Sequence, residues 1–320
     1  MHLLRANVLA AFLAAGAPAA AQQSTTGPIP PDLAHLSDEW SCAQSRETPG
    51  YFPSLNGAEV SDAQRSQTYA CASFLGSLDG PNRVFGYQSE DSYQGVLFMN
   101  NRRPGELYLT GGNNPPPQGL MPPGPYVARV DATTGKEIWR TYLQNGNVTG
   151  EWVGAANLNI LPDGTIPVAF GNHLVKLDGD DGRILQYLAL TPGAAPLEGS
   201  NFKHLTVAPD GTLIVKNQTR ATPCEIQGTL AAFQCPGGVA ASPGSTILAI
   251  DPDNFEILDS IDVPENAVVP HSITEFDGRI AIYAPSILKA YRFFWDPDTK
   301  QLSQDSDWAT TYLDEGQTTG

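Results

Sequence analysis

Basic residues are scarce in this chain of 320 residues. Its 18 Lys and Arg residues stand against 34 Asp and Glu residues, which gives an acidic protein with a formal net charge of -16. A surface of this sign repels the phosphate groups of nucleic acids and of anionic membranes. We therefore expect no nucleic acid among its partners.

Long apolar runs are also lacking. No stretch approaches the roughly 18 apolar residues that a transmembrane helix needs, so we expect no transmembrane segment in the mature chain. Near the N-terminus, Arg5 precedes a short apolar stretch and the small triplet Ala19-Ala20-Ala21. This order is typical of a secretory signal peptide of bacterial type. We predict a signal peptide over residues 1–21 and a periplasmic or secreted protein.

Cysteine is the third scarce feature, with only Cys42, Cys71, Cys224 and Cys235 in the chain. No C-x-x-C spacing or neighbouring His favours a zinc site. A small even number fits disulfides in an oxidising compartment. The sequence alone leaves all pairings open, although we favour Cys42 with Cys71 and Cys224 with Cys235 because each pair is local.

One sequence motif occurs four times in the chain, and we call it the phrase of the repeat. Its clearest copy is YVARVDATTGKEIWR at residues 126–140, where alternating apolar residues lead to an Asp that opens a turn. The turn-opening residues of the four copies are Asp131, Asp178, Asp251 and Asp296. The copies are separated by roughly 45 residues, apart from one longer interval with a cysteine-bearing insertion, which indicates a repeat architecture. In each turn the Asp side chain is expected to cap its own backbone.

Each copy lies in a unit of four short strands joined by tight Gly and Asp turns, which is the composition of one propeller blade. We predict an all-β fold, a β-propeller of four-stranded antiparallel blades. Four blades can be identified in the sequence, and we expect them to be part of an incomplete six- to eight-bladed propeller. The predicted divisions are an N-terminal linker and irregular cap at 22–92 and a propeller at 93–320, with blades at about 93–143, 156–190, 203–263 and 270–313.

The phrase VARVDATTGKEIW resembles the repeat of the pyrroloquinoline-quinone-type (PQQ-like) β-propellers. Only the first unit matches fully, because Gly is missing from the third and fourth units. The resemblance implies a quinone cofactor bound with calcium in a central channel. Quinoprotein dehydrogenases of this type often have a disulfide between adjacent cysteines and use a catalytic Asp. This chain has no adjacent cysteine pair and no Asp that can be matched to the catalytic one, so we assign none of its residues to cofactor binding. The PDGT turns also resemble those of gluconolactonase-like and strictosidine-synthase-like propellers.

The repeat predicts a site. Aligning the Asp-Gly turns of the last three units places Asn157, His204 and His271 at equivalent positions, where the innermost strand of each blade begins. Because blades are related by rotation about a central axis, these residues should form a ring at the channel mouth, with Lys203 beside them. The histidines could bind a metal, act as acid and base, contact a polar ligand, or satisfy strand ends.

Loops between strands are expected at the same end of the propeller. Glu151, Trp152 and Arg220 lie in such loops, and we predict that they rim a funnel above the ring. The favoured function is therefore an exported, non-catalytic propeller that binds a small molecule, a glycan or an envelope protein through this funnel. The alternative is an enzyme, either a quinone-dependent dehydrogenase or a metal-dependent hydrolase or lyase that uses the channel-mouth histidines.

Overall fold

The computed structural model describes residues 49–54, 56–58, 62–66, 98–103, 105–112, 124–132, 134–143, 151–153, 156–226 and 231–313. The predicted signal peptide, Cys42 and Cys71 lie outside these residues.

The described chain forms four antiparallel sheets, each of four strands in the order of the sequence. The strands of the first two sheets are β1 (Phe98–Asn100), β2 (Glu106–Gly111), β3 (Tyr126–Asp131), β4 (Glu137–Tyr142), β5 (Asn157–Leu158), β6 (Ile166–Phe170), β7 (His173–Leu177) and β8 (Ile184–Ala189). Those of the last two are β9 (Ser200–Val207), β10 (Leu213–Thr219), β11 (Thr246–Ile250), β12 (Ile257–Asp262), β13 (Ser272–Phe276), β14 (Arg279–Pro285), β15 (Lys289–Asp296) and β16 (Gln301–Thr311).

Helical structure in the described residues is limited to α1 (Ala231–Gln234) and two 3₁₀ turns, Leu197–Gly199 and Val239–Ala241. None of it is long and apolar enough to cross a bilayer. The fold is therefore all-β, as predicted.

Neighbouring sheets pack face to face in chain order. Strand β1 contacts β5, strands β5 and β6 contact β9, and β12 contacts β16. One apolar core joins the first and second sheets, and a larger core joins the second, third and fourth. Four consecutive antiparallel blades packed in this way are the architecture that the repeat predicted, and the fold class is confirmed. The division into leader, cap and propeller, and the total blade number, stay predictions.

The turn-opening Asp of every repeat caps its own backbone. In each copy the carboxylate accepts a hydrogen bond from a backbone N–H two or three residues further on. The pairs are Thr134 N with Asp131 (3.2 Å), Asp180 N with Asp178 (2.8 Å), Asp253 N with Asp251 (2.8 Å) and Asp298 N with Asp296 (2.9 Å). The predicted role of these residues as turn builders is confirmed.

Part of the predicted N-terminal cap packs along the innermost strands. Backbone carbonyls of Asn56, Gly57 and Ala63 accept N–H groups from Asn101 (2.9 Å), Ile160 (2.8 Å) and Ile273 (2.8 Å), in the first, second and fourth sheets. In the third sheet, Val207 N donates to the buried Tyr51 hydroxyl at 2.8 Å. Each of these four donors lies on, or shortly after, the first strand of its sheet. The described residues between 49 and 66 therefore tie all four sheets together near the axis.

Trp139 packs between the first two sheets. The indole covers Gly182, in the Asp turn of the second sheet, so closely that a Cβ atom added there would lie 2.5 Å from the ring. Thr141 Oγ1 also donates to the Gly182 carbonyl at 2.6 Å. With a φ of +74°, Gly182 both forms the turn and makes room for the neighbouring indole.

We predict that Gly182→Ala destabilises the protein more than Gly278→Ala. Both glycines have positive φ, +74° and +68°, but a Cβ at Gly278 would meet nothing within 4 Å. Both variants should lose roughly 1–2 kcal/mol through left-handed strain, and Gly182→Ala a further 1–3 kcal/mol through overpacking. Urea unfolding measures the difference, and equal losses would show that the Trp139 contact contributes nothing.

Candidate functional site

The predicted ring residues are buried in the centre of the fold. Asn157 and His271 have no exposed surface, and His204 is 1% exposed. Asn157 begins β5, His204 lies within β9, and His271 immediately precedes β13. Because all three side chains are buried, they do not line the open channel mouth that the sequence analysis predicted. The described residues between 49 and 66 bond to the same innermost strands a few residues further along.

Lys216 joins the two histidines in a cluster that the sequence analysis did not predict. It lies on β10 directly opposite His204 on β9, and it is fully buried. Its Nζ donates to the carbonyl of Asn217 at 3.3 Å and to that of Ala267, in the connection that leads to His271. We call His204, Lys216 and His271 the central cluster.

The electrostatics of the central cluster are dominated by burial and by positive charge. Burial, followed by the charge of Lys216, lowers the pKa of both His204 and His271 well below 6.5. Burial also lowers the pKa of Lys216 well below 10.5, and the charges of Lys203 and Arg65 add to this effect. Both histidines are therefore neutral at pH 7.

The imidazole nitrogens of His204, Nδ1 and Nε2, lack hydrogen-bond partners within the described part of the chain. Those of His271 have no partner at normal hydrogen-bond geometry, but an interaction with the backbone of Ile214 raises the pKa of His271 against the effect of burial. Buried polar groups are nearly always paired, because an unpaired one costs roughly 1–3 kcal/mol. The cluster thus presents buried donors that a ligand can use.

Two half-buried cations lie close enough to act on the buried cluster. Lys203 precedes His204 on β9, and Arg65 belongs to the chain that crosses the innermost strands. Arg65 adopts a φ of +55°, a conformation that non-glycine residues seldom take and that occurs preferentially at functional positions. Both are half-buried, and their charges contribute to the lowered pKa of His204 and of Lys216.

The donor set suits an anion better than a metal cation. Calcium requires oxygen ligands, whereas the cluster offers imidazole and ammonium nitrogens in a positive field. Within the described ranges, no three His, Cys, Asp or Glu side chains are grouped to hold a metal ion. The calcium-assisted quinone site that the sequence resemblance implied does not fit these residues. Carboxylate or phosphate oxygens would accept charge-assisted hydrogen bonds from them.

Glu151 lies apart from the central cluster. Its Oε2 is 2.9 Å from Nε2 of His173, the first residue of β7, and Nδ1 of His173 is 2.6 Å from the hydroxyl of Tyr187 on β8. Glu151 is thus one end of a chain of three side chains on the second sheet and not part of a common rim with Trp152 and Arg220.

Trp152 and Arg220 are buried together beneath the insertion between β10 and β11. The Arg220 guanidinium lies 5.2 Å from the Trp152 ring centre, and its Nε donates to the carbonyl of Glu198 at 2.7 Å. Burial lowers the pKa of Arg220 to about 10, which leaves it protonated at neutral pH. These contacts support the insertion rather than form an exposed rim.

The insertion is closed by a disulfide between Cys224 and Cys235, with an S–S distance of 2.02 Å. This local pairing was the favoured one and is confirmed. Cys235 packs with Trp152 and three alanines in a small separate core.

Sequence reasoning missed Lys216 and Arg65. Lys216 did leave a signal, because it is a lone charge in an otherwise uncharged strand, Leu213–Thr219, that is buried at every position. Arg65 left none, since it precedes the first repeat. The link between Glu151, His173 and Tyr187 was also missed.

No protein-family model and no curated protein matches this chain. Among solved structures it is similar to the quinohemoprotein alcohol dehydrogenase ADHIIG from Pseudomonas putida HK5, at 12% identity and a TM-score of 0.40, over 65% of this chain and 39% of that one. It is also similar to BamB from Moraxella catarrhalis, at 13% identity and a TM-score of 0.37, over 68% and 53% of the two chains.

A third similar structure is the quinohemoprotein alcohol dehydrogenase from Comamonas testosteroni, at 14% identity and a TM-score of 0.37, over 70% of this chain and 44% of that one. All three similarities thus span roughly half, or less, of the larger proteins. At such identities and TM-scores they carry no argument about activity or partners, and the blade architecture stands on the four sheets of the chain itself.

We predict that stability falls with pH below about 6.5. A lowered pKa in the folded state means that the unfolded chain binds more protons in this range, so each buried histidine removes ~1.4 kcal/mol of unfolding free energy per pH unit until it is protonated in the folded state. In a plot of unfolding free energy against pH, His204→Gln should reduce the slope below pH 6.5 by ~1.4 kcal/mol per pH unit. His271→Gln should have the same effect. Urea unfolding at a series of pH values measures it. Parallel curves for variant and wild type would contradict the assignment.

Proposed function

We propose that this chain is an exported β-propeller protein that binds a small anionic ligand at the central cluster of His204, Lys216 and His271 and holds it without chemical change. The observation that carries the proposal is the buried His204 imidazole, which has no hydrogen-bond partner among the described residues, beside the buried Lys216 amino group and the buried His271 ring. Of the partner classes expected from the sequence, this favours a small molecule over a glycan or an envelope protein.

A bound anion would offset the free-energy cost of burying the polar groups of the central cluster that lack hydrogen-bond partners. A neutral imidazole carries one N–H donor and a Lys ammonium carries three, and carboxylate or phosphate oxygens accept from both. In a buried environment such charge-assisted bonds are stronger than in water. Lys203 and Arg65 would add attraction from the half-buried side, and clefts lined by one sign of charge concentrate ligands of the opposite sign.

Binding is favoured over catalysis because of the charges around the histidines. A catalytic histidine is commonly oriented by a carboxylate that stabilises its protonated form. Here the charges that act most strongly on His204 and His271 are positive, which opposes protonation. The same field opposes a metal-dependent hydrolase or lyase at this position.

Export is supported by two observations. Residues 1–21 have the order of a signal peptide, and the disulfide between Cys224 and Cys235 fits an oxidising compartment such as the periplasm or the extracellular space.

The test is anion binding by the purified mature protein. Inorganic phosphate and succinate are titrated separately in a buffer free of other multivalent anions, with isothermal calorimetry and thermal unfolding as readouts. We expect at least one to bind saturably and to raise the melting temperature. Lys216→Met and His204→Gln should weaken that binding by tenfold or more, because each removes a buried donor.

The matched control is Lys136→Met, which removes the same charge from an exposed turn and should leave the affinity within about twofold. His271→Gln serves as a second cluster variant if Lys216→Met does not fold. Failure of both anions to bind, or affinities that none of the cluster substitutions changes, would overturn the proposal.

Quinone chemistry is tested separately. With pyrroloquinoline quinone, calcium and an artificial electron acceptor, we expect no saturable dye reduction over a panel of alcohols, because the central cluster offers calcium no oxygen ligands. Saturable reduction would establish the dehydrogenase alternative.

A further inference from the structure

Three side chains of the second sheet are linked in the order carboxylate, imidazole, hydroxyl. Glu151 Oε2 is 2.9 Å from His173 Nε2, and His173 Nδ1 is 2.6 Å from Tyr187 Oη. Their positions are held by the sheet, because His173 begins β7 and Tyr187 lies on the adjacent strand β8. The His173 ring also lies against those of Phe170 and Tyr187, with ring centres 5.2 and 5.6 Å away.

The carboxylate of Glu151 determines the direction of the hydrogen bonds among these three side chains. An ionised carboxylate only accepts hydrogen bonds, so Nε2 of His173 carries the proton that points to Glu151. In the neutral ring, Nδ1 is then unprotonated, and its lone pair accepts a hydrogen bond from the Tyr187 hydroxyl. A nucleophile bonded to an imidazole that is in turn oriented by a carboxylate is the arrangement of a catalytic triad.

Exposure is graded along the three residues. The side chains of His173 and Glu151 are 9% and 18% exposed, whereas Tyr187 is 56% exposed. The base is therefore shielded, while the phenol oxygen can meet a substrate. Ile184 and Leu185, at the start of the same strand, are exposed apolar side chains.

We propose that Glu151, His173 and Tyr187 form an acyl-transfer site that accepts acyl groups from small activated esters with an apolar leaving group. Tyr187 Oη attacks the ester carbonyl carbon and passes its proton to His173 Nδ1. The bond between that carbon and the leaving oxygen breaks, and the leaving oxygen receives the proton from His173. The products are acyl-Tyr187 and the free alcohol or phenol.

Turnover needs only water. Acyl-tyrosine is an aryl ester, which makes the tyrosine oxygen a better leaving group than the alkoxide of serine. His173 takes a proton from water as the water attacks the acyl carbon, and returns it to Tyr187 as the carboxylic acid departs. No oxidant, reductant or metal enters either step.

The two groups that touch the reacting atoms, Tyr187 and His173, are the catalytic residues, and Glu151 is a positioning residue that acts through His173. Partial burial and the nearby charge of Glu151 raise the pKa of Tyr187. The phenol is accordingly protonated at neutral pH, and removal of its proton during the attack requires the adjacent base.

The experiment measures acetylation by p-nitrophenyl acetate. The purified chain is mixed with the reagent, release of nitrophenolate is followed by absorbance, and the labelled residue is identified by peptide mass spectrometry. Tyr312 is an internal reference, because it is 47% exposed and its hydroxyl donates to the backbone carbonyl of Ser286 rather than to a base. We expect Tyr187 to be acetylated at least about tenfold faster than Tyr312.

Substitutions assign the roles. Tyr187→Phe should abolish the fast phase, and His173→Gln should slow labelling of Tyr187 to the rate of Tyr312. Glu151→Asp should retain more of the rate than Glu151→Gln, a graded response that a purely structural residue would not produce. Thermal unfolding verifies that each variant is folded. The proposal is overturned if Tyr187 reacts no faster than Tyr312, if only His173 is labelled, or if His173→Gln reacts like wild type.

This inference is independent of the proposed anion site. None of its three residues belongs to the central cluster, and acetylation of Tyr187 should leave phosphate and succinate titrations unchanged. Failure of one proposal therefore leaves the other intact.

Discussion

The turns between the third and fourth strands of the second and third sheets hold each of these sheets to the one before it. The Asp of each turn, such as Asp178, uses the side chain to satisfy backbone N–H groups, and the turn carbonyls remain available as acceptors. The Tyr108 hydroxyl of the first sheet donates to Gly179 O at 2.9 Å, and Lys176 Nζ of the second donates to Pro252 O at 2.9 Å. In these two sheets one local motif thus ends a hairpin and also binds the preceding sheet, which helps to set the spacing between them.

That spacing explains how polar side chains come to be buried near the axis. Sheets that pack in chain order bring β9, β10 and the entry to β13 together, and with them His204, Lys216 and His271. Burying such polar groups in a protein interior costs free energy unless they are hydrogen-bonded or paired with an opposite charge. The chain between residues 49 and 66 brings in Arg65, so the segment that ties the sheets together also contributes charge to the centre.

The second polar arrangement has a different physical character. Glu151, His173 and Tyr187 form a fully connected hydrogen-bonded chain, whereas His204 in the central cluster has no hydrogen-bond partner among the described residues. A connected chain is suited to moving a proton towards an exposed hydroxyl. Unpartnered buried donors are suited to holding a charged group. The two arrangements therefore assign different kinds of chemistry to different parts of one scaffold.

The sequence by itself determined the all-β class, the four blades and the capped Asp turns, because each depends on residues close together in the chain. It favoured the pairing of Cys224 with Cys235, which the structure then established. Strand periodicity and Asp turns are local properties. It also located His204 and His271 at equivalent positions. Only the tertiary structure decided that these residues are buried, that Lys216 lies opposite His204, and that Glu151 reaches His173. Periodicity tells which face of its own strand a side chain occupies, whereas burial and partners depend on what the packing of other sheets and of the N-terminal segment places against that face.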